Sequence, residues 1–88
     1  MSYHVTSFEA TPNPNAVKCW LDRPISQGPR SFRSAGEARS DPIARALFDE
    51  VGATTVLFNG DWLTVNKRPD AEWPGVKAQI KRVLSAAG

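Results

Sequence analysis

Apolar and polar residues alternate in two neighbouring segments near the start of the chain. Residues 3–9 carry Tyr, Val, Thr and Phe among polar positions, a period-2 pattern that predicts a strand with one buried face. Residues 16–22 resume the alternation, with Val17, Cys19 and Leu21 on one side. Between them lies Thr-Pro-Asn-Pro-Asn, in which two prolines fix φ and remove donors, so neither strand can continue. The pattern predicts a hairpin around a tight turn.

A second hairpin is predicted from residues 54–59 and 62–67. Either Asn59-Gly60 or Gly60-Asp61 could form its two-residue turn. The Gly60-Asp61 turn places Phe58 opposite Leu63 and Val56 opposite Val65, so four apolar side chains share one face. The other register mixes Phe58 with Asp61, and we therefore predict the Gly60-Asp61 turn.

Two segments show helical periodicity. Asp41-Pro42 is an N-cap followed by a proline at the first helical position, and Gly52 suits a left-handed C-terminal residue, so a helix is predicted over 41–51. A second helix is predicted over 72–86. The apolar stripes of the two helices are Ile43, Ala46, Leu47 and Val51, and Trp73, Val76, Ile80, Val83 and Leu84.

These elements predict an α+β fold with a mainly antiparallel four- to five-stranded sheet and two helices on one face. Residues 23–40 are rich in Pro, Gly, Ser and Arg, and only a short edge strand near 31–33 is expected there. The predicted order is β-β-(β)-α-β-β-α. At 88 residues the chain is expected to form a single domain over 1–88.

Composition narrows the function classes. An apolar fraction of 41% and a charged fraction of 23% are ordinary for a folded protein, and a net charge of +2 is low for a duplex-binding module. No stretch approaches the roughly 20 apolar residues that cross a bilayer, so no membrane association is expected. The first residues lack the layout of a secretory signal, and a cytoplasmic location is predicted.

Candidate chemistry is sparse. Cys19 is the only cysteine and shares a face with Val17 and Leu21, which predicts a buried, structural thiol. His4 is the only histidine, and no Cys or carboxylate lies beside it at metal-ligand spacing, so a position at the surface or sheet edge is expected. The chain is therefore predicted to be no enzyme and to bind no cofactor by itself.

The face of the sheet opposite the helices is more informative. Alternation sends Lys18, Trp20, Leu57, Trp62 and Thr64 to this side. They could pack under the 23–40 segment or as a minor cluster, or they could form an exposed aromatic patch for a protein partner. Within that segment, Arg30 and Arg33 add basic side chains to the candidate partner surface, or belong to a solvated loop.

Several stretches together resemble the N-terminal domain of the Nfu/NifU-type iron–sulfur scaffold proteins. They are Thr11-Pro-Asn-Pro-Asn-Ala-Val-Lys18, Ser40-Asp-Pro-Ile-Ala-Arg-Ala-Leu-Phe48 followed by Gly52, Val56-Leu-Phe-Asn-Gly-Asp-Trp-Leu-Thr-Val65 through Lys67, and Trp73 with Ile80. In that family the cluster-binding Cys-x-x-Cys pair belongs to a separate C-terminal domain, and the 88 residues contain no such pair.

The resemblance implies a stand-alone adaptor that contacts iron–sulfur assembly or recipient proteins, with iron or a cluster bound only transiently or through a partner. The alternative is a single-stranded nucleic-acid-binding module that stacks bases on Trp20 and Trp62 beside Lys18. The element order and the small charge count against it, so nucleic acid is an unlikely partner.

Overall fold

The computed structural model describes residues 2–87 and has the predicted α+β fold. Within these residues, antiparallel strands form one five-stranded sheet in the order β1-β2-β5-β4-β3. The strands are β1 (Val5–Ala10), β2 (Ala16–Leu21), β3 (Arg30–Phe32), β4 (Thr55–Asn59) and β5 (Trp62–Asn66). The α-helices are α1 (Pro42–Ala46) and α2 (Trp73–Ala86).

The register of the second hairpin is the predicted one. Phe58 lies opposite Leu63 and Val56 opposite Val65, with Gly60-Asp61 as the turn. Gly60 has a φ of 61°, a conformation that costs a residue without a Cβ little. A positive φ at the first central position alone is the pattern of a type II′ turn, which suits the twist of a hairpin.

The first strand begins later than predicted. Residues 3–9 were expected to be extended, but β1 starts at Val5, and its register with β2 shifts between Val5 and Ser7. The backbone N–H of Tyr3 instead donates to the carbonyl oxygen of Leu84 in α2, at 2.9 Å. This bond directs the start of the chain toward the helix rather than along the sheet.

The predicted helix over 41–51 is capped as expected but changes geometry along its length. Asp41 Oδ1 accepts from the backbone N–H groups of Ile43 and Ala44 at 2.9 and 3.0 Å. The segment Leu47–Val51 is a π-helix, because the N–H of Gly52, with a φ of 79°, donates to the carbonyl oxygen of Leu47 five residues earlier. A 3-10 turn over Glu37–Ser40, which the sequence did not indicate, precedes α1.

The core lies between one face of the sheet and both helices, as predicted. Helix α2 buries the stripe Val76, Ile80, Val83 and Leu84. From the short edge strand, Phe32 packs edge-on against Phe58 with ring centroids 5.2 Å apart. The largest fully buried side chains are Phe58, Leu47, Leu63, Ile80, Leu84, Val65 and Cys19.

We expect Asp41→Ala to lower the free energy of unfolding by about 1 kcal/mol, because two first-turn amides lose their acceptor. Urea unfolding followed by circular dichroism measures this change. Asp41→Asn is the matched control, since it keeps an acceptor for the amides and removes only the charge that faces Arg30. Equal losses in both variants would show that the cap is not the stabilising feature.

Candidate functional site

Two tryptophans and a lysine meet at the centre of the sheet face that the helices leave open. Trp20 in β2 pairs directly with Trp62 in β5, and their ring centroids are 6.4 Å apart with the planes inclined by 57°. The Nζ atom of Lys18 lies 4.3 Å from the Trp20 ring centroid and 4.4 Å from that of Trp62. One ammonium group therefore makes cation–π contacts with both indoles.

Glu9 completes this cluster. The indole Nε1 of Trp20 donates to Glu9 Oε1 at 3.1 Å, and Glu9 is the cross-strand partner of Lys18. The hydrogen bond fixes the Trp20 ring and satisfies its polar atom. Sequence reasoning left Glu9 unassigned, because the pattern predicted the first hairpin but not the register that brings Glu9 opposite Lys18. We call Glu9, Lys18, Trp20 and Trp62 the indole cluster.

Smaller and more polar side chains surround the indole cluster. Thr64 is the cross-strand partner of both Lys18 and Leu57, so Leu57 continues the apolar surface toward the β3 edge. Ser7 and Ser31, at the two sides of the sheet, are exposed. An aromatic centre with a polar rim is the arrangement found in protein–protein interfaces.

The apolar side chains of the 23–40 segment pack on the other side of the sheet. Phe32 and Ala38 are buried in the core, and Ile25 packs against it. The N–H of Ile25 donates to the carbonyl oxygen of Gly60 at 2.7 Å, which draws the segment across the end of the β4–β5 hairpin. Trp20 and Trp62 remain half-buried.

The two arginines of the candidate surface do not join the indole cluster. Arg30 pairs with Phe58, so it lies on the helix-bearing face, and its Nη1 is 3.0 Å from Asp41 Oδ2 at the start of α1. Because Arg30 is about half exposed, this ion pair contributes at most about 1 kcal/mol. Arg33 is exposed just beyond β3, and its backbone N–H donates to Glu37 Oε1.

The cysteine lacks the features of a cluster ligand. Cys19 is fully buried between β1 and β5, opposite Phe8 and Leu63, as its alternation predicted. Burial raises the pKa of its thiol to about 12, and the positive charge of Lys77 offsets this only in part. A cluster needs accessible thiolates, so these residues do not fit an iron–sulfur centre.

Other metal donors are also dispersed. No group of three or more His, Cys, Asp or Glu side chains within residues 2–87 is placed to hold a metal ion. His4 is exposed, and its backbone N–H donates to Asp22 Oδ1 at 3.0 Å. This hydrogen bond is the largest cause that lowers the pKa of the Asp22 carboxyl.

The Thr-Pro-Asn-Pro-Asn turn is held by its own side chains. The backbone N–H of Asn13 donates to Thr11 Oγ1 at 3.2 Å, and that of Asn15 donates to Asn13 Oδ1 at 2.9 Å. The N–H of Ala16 closes the turn on the carbonyl oxygen of Asn13. These are the local bonds for which Asn and Thr are favoured in turns.

Two distant residues dock this turn onto the fold. Lys67, only 8% exposed, donates from its backbone N–H to the carbonyl oxygen of Asn15 and from Nζ to Asn15 Oδ1, at 2.7 and 3.1 Å. Trp73 Nε1 donates to the carbonyl oxygen of Pro14 at 3.1 Å. Three of the stretches that carry the family resemblance, those with Pro14 and Asn15, with Lys67 and with Trp73, therefore meet at one place.

A comparison with protein-family models finds a match over nearly the whole chain. The model described as the N-terminal part of the scaffold protein Nfu/NifU matches residues 5–87. This chain belongs to the Nfu/NifU family. The match covers every strand and both α-helices of this Nfu-type domain.

Curated relatives share about a third of the aligned residues. The NifU-like protein 5, mitochondrial, of Arabidopsis thaliana is 31% identical over 77 residues, which are 86% of this Nfu-type domain and 28% of that protein. The NFU1 iron-sulfur cluster scaffold homolog, mitochondrial, of Drosophila virilis is 32% identical over 76 residues, or 84% of this chain and 26% of that protein. The chain thus spans less than a third of the length of these relatives.

Solved structures share the fold. A solution structure of a NifU-like protein from Saccharomyces cerevisiae has a TM-score of 0.75 and 22% identity, covering 96% of this chain and 76% of that one. A crystal structure of a Staphylococcus aureus protein has a TM-score of 0.72 and 21% identity, covering 91% of this chain and 96% of that one.

In this Nfu-type domain, none of the helices within residues 2–87 has the length and apolar character to span a membrane.

We expect Cys19 to resist iodoacetamide in the native state at pH 8, because the thiolate is the reactive form and the buried thiol stays protonated. The raised pKa means that the contribution of the protonated thiol to the free energy of unfolding is fully present below pH 9.0, the ordinary pKa. This contribution falls as the pH rises from 9.0 toward 12. Mass spectrometry measures the labelling, and the chain in concentrated guanidinium chloride is the control. Equal labelling rates in the two states would contradict a buried thiol.

Proposed function

We propose that this Nfu-type domain is a non-enzymatic adaptor in iron–sulfur cluster assembly or delivery, and that it docks partner proteins on its open sheet face. Membership of the family supports the role in iron–sulfur cluster assembly, and the indole cluster supports the docking surface. The observation that carries the proposal is the placement of one lysine ammonium between two half-buried indoles.

The indole cluster has the properties of a binding hot spot. Tryptophans dominate such sites because each buries a large apolar area with little loss of side-chain entropy. Here the Trp20 ring is already fixed by Glu9. A partner therefore meets a surface whose aromatic centre needs little ordering on binding.

In this proposal the iron–sulfur cluster itself is cargo that other proteins hold. The domain would contact a scaffold or a recipient and contribute no thiolate, because its cysteine is enclosed in the core. Iron would reach it only transiently or through a partner. This division of roles fits a family whose model is described as the N-terminal part of a scaffold protein.

The nucleic-acid alternative receives less support from the geometry. Bases stack on aromatic rings whose faces are open. Here the ammonium group of Lys18 lies over the rings of both Trp20 and Trp62, and the two planes are inclined by 57° rather than parallel. A stacking platform would require the lysine to move away.

The cytoplasmic location stays a prediction. The Arabidopsis and Drosophila relatives are named as mitochondrial proteins. Iron–sulfur proteins that receive or supply clusters in the same compartment would be the partners to test.

We expect Trp20→Ala combined with Trp62→Ala to weaken partner binding at least about tenfold, because truncating a hot-spot residue costs about 2 kcal/mol or more. Lys18→Met keeps the packing of the lysine stem and tests the charge separately. Isothermal titration against purified Cys-x-x-Cys scaffold proteins and apo-ferredoxins measures the affinity. Circular dichroism checks that each variant is folded.

Arg39→Ala combined with Arg45→Ala is the matched control, since both arginines are exposed away from the indole cluster. Unchanged affinity in the tryptophan variant would sink the docking surface. A salt-sensitive gel shift with single-stranded RNA or DNA at micromolar protein would favour the nucleic-acid alternative instead.

A further inference from the structure

A second surface lies on the flank where β1 meets α2. Lys77 Nζ is 5.3 Å from the Phe8 ring centroid and 5.9 Å from that of Trp73. Lys81 Nζ is 5.6 Å from the Phe8 ring centroid, and Lys67 Nζ is 5.1 Å from that of Trp73. Cations and rings thus alternate in the order Lys67, Trp73, Lys77, Phe8, Lys81, which we call the basic ladder.

Among residues 2–87, no carboxylate lies within ion-pair distance of a lysine of the basic ladder. The ion pairs within residues 2–87 are made by arginines, namely Arg23, Arg30 and Arg68. The Lys67 ammonium is held by neutral oxygens, Asn15 Oδ1 and the carbonyl of Arg68. Because Lys67 is almost fully buried, its charge is fixed in place and poorly screened by solvent.

A small cavity adjoins the ladder. Its volume is about 170 Å³, and it lies between Phe8, Trp73, Lys77 and the Thr-Pro-Asn-Pro-Asn turn. Sites for cofactors and drug-sized ligands are typically about 300 to 1,000 Å³, so this cavity suits a single aliphatic side chain better than a small molecule. The apolar ring atoms complement an aliphatic side chain. The lysine beside them complements an acidic side chain on the same face of the bound segment.

The free edge of the sheet runs past the same place. Strand β1 is the outer strand of the sheet and carries Phe8, and its far side pairs with no strand among residues 2–87. An exposed edge offers unpaired backbone groups to an extended peptide. The lysines would then meet side chains that project from such a peptide on its helix-facing side.

We propose that this flank binds an extended acidic segment of a partner protein. In this arrangement one aliphatic side chain enters the cavity beside Trp73, and carboxylates two residues before and after it, on the same face of the extended segment, contact Lys77 and Lys81. Phe8 lies opposite the buried Cys19, so the ladder is on the helix side of the sheet and is distinct from the indole cluster. The proposal does not depend on the proposed function of the open face.

A protein segment fits this flank better than a nucleic acid. Phosphates would also meet the lysines, but bases would find the Phe8 and Trp73 rings already contacted by ammonium groups. The net charge of +2 supplies little long-range attraction for a polyanion. A short acidic peptide needs only Lys77 and Lys81.

The test uses the synthetic peptide Glu-Thr-Leu-Thr-Glu, capped at both ends, in which Leu and both Glu side chains share one face when the peptide is extended, with Gln-Thr-Leu-Thr-Gln as its uncharged match. Titration of ¹⁵N-labelled protein should shift the amide signals of β1, residues 11–15 and Lys77, and binding should weaken as salt is raised. Lys77→Gln combined with Lys81→Gln should weaken binding about fivefold to tenfold, since two screened charge pairs are lost. Arg39→Gln combined with Arg45→Gln removes the same charge elsewhere and should leave binding unchanged.

Lys81→Glu is a second variant, at an exposed position where folding is not at risk. Lys81→Glu should weaken binding more than the neutral substitution Lys81→Gln does. Equal binding of the two peptides, shifts confined to the open face, or no effect of the lysine variants would each overturn the proposal. Tighter binding of oligothymidylate than of the acidic peptide at this flank would overturn it in favour of a nucleic acid.

Discussion

Strands β2 and β5 lie next to each other at the centre of the sheet, and their pairing joins two hairpins that are distant in the sequence. This one register places Cys19 against Leu63 in the core and Trp20 against Trp62 on the open face. Because side chains alternate along each strand, a slip of one residue would bury the indoles and expose the core. The sheet therefore cannot form its core without also forming the indole cluster.

Features that depend on neighbours in sequence or on simple alternation could be predicted. Asp41 as a cap and the Gly60-Asp61 turn follow from local chemistry, and alternation predicts which residues of β2, β4 and β5 face the core. Other features depend on distances between elements, which a pattern of residue types does not contain. Sequence reasoning therefore grouped Arg30 with the candidate partner surface, missed the Glu9 bond to Trp20, and did not predict the contacts of Lys77 with Phe8 and Trp73.

The two surfaces use cation–π contacts in different ways. In the indole cluster the lysine is enclosed by aromatic rings and accompanied by Glu9, so its charge is partly balanced within the site. In the basic ladder the lysines lie over ring faces, and within the described part of the chain no carboxylate pairs with them. The open face is thus suited to a partner with apolar and mixed polar groups, and the flank to one that carries negative charge. Since they lie on opposite sides of the sheet, one molecule could hold two partners at once.

The pairing of Trp20 with Trp62 also makes the proposed docking surface conditional on complete folding. The two indoles come from separate hairpins, so neither hairpin alone presents both rings with the lysine between them. A nascent or partly melted chain would show isolated tryptophans and no composite surface. A protein that binds this surface would therefore bind only the folded domain, without a separate quality-control step.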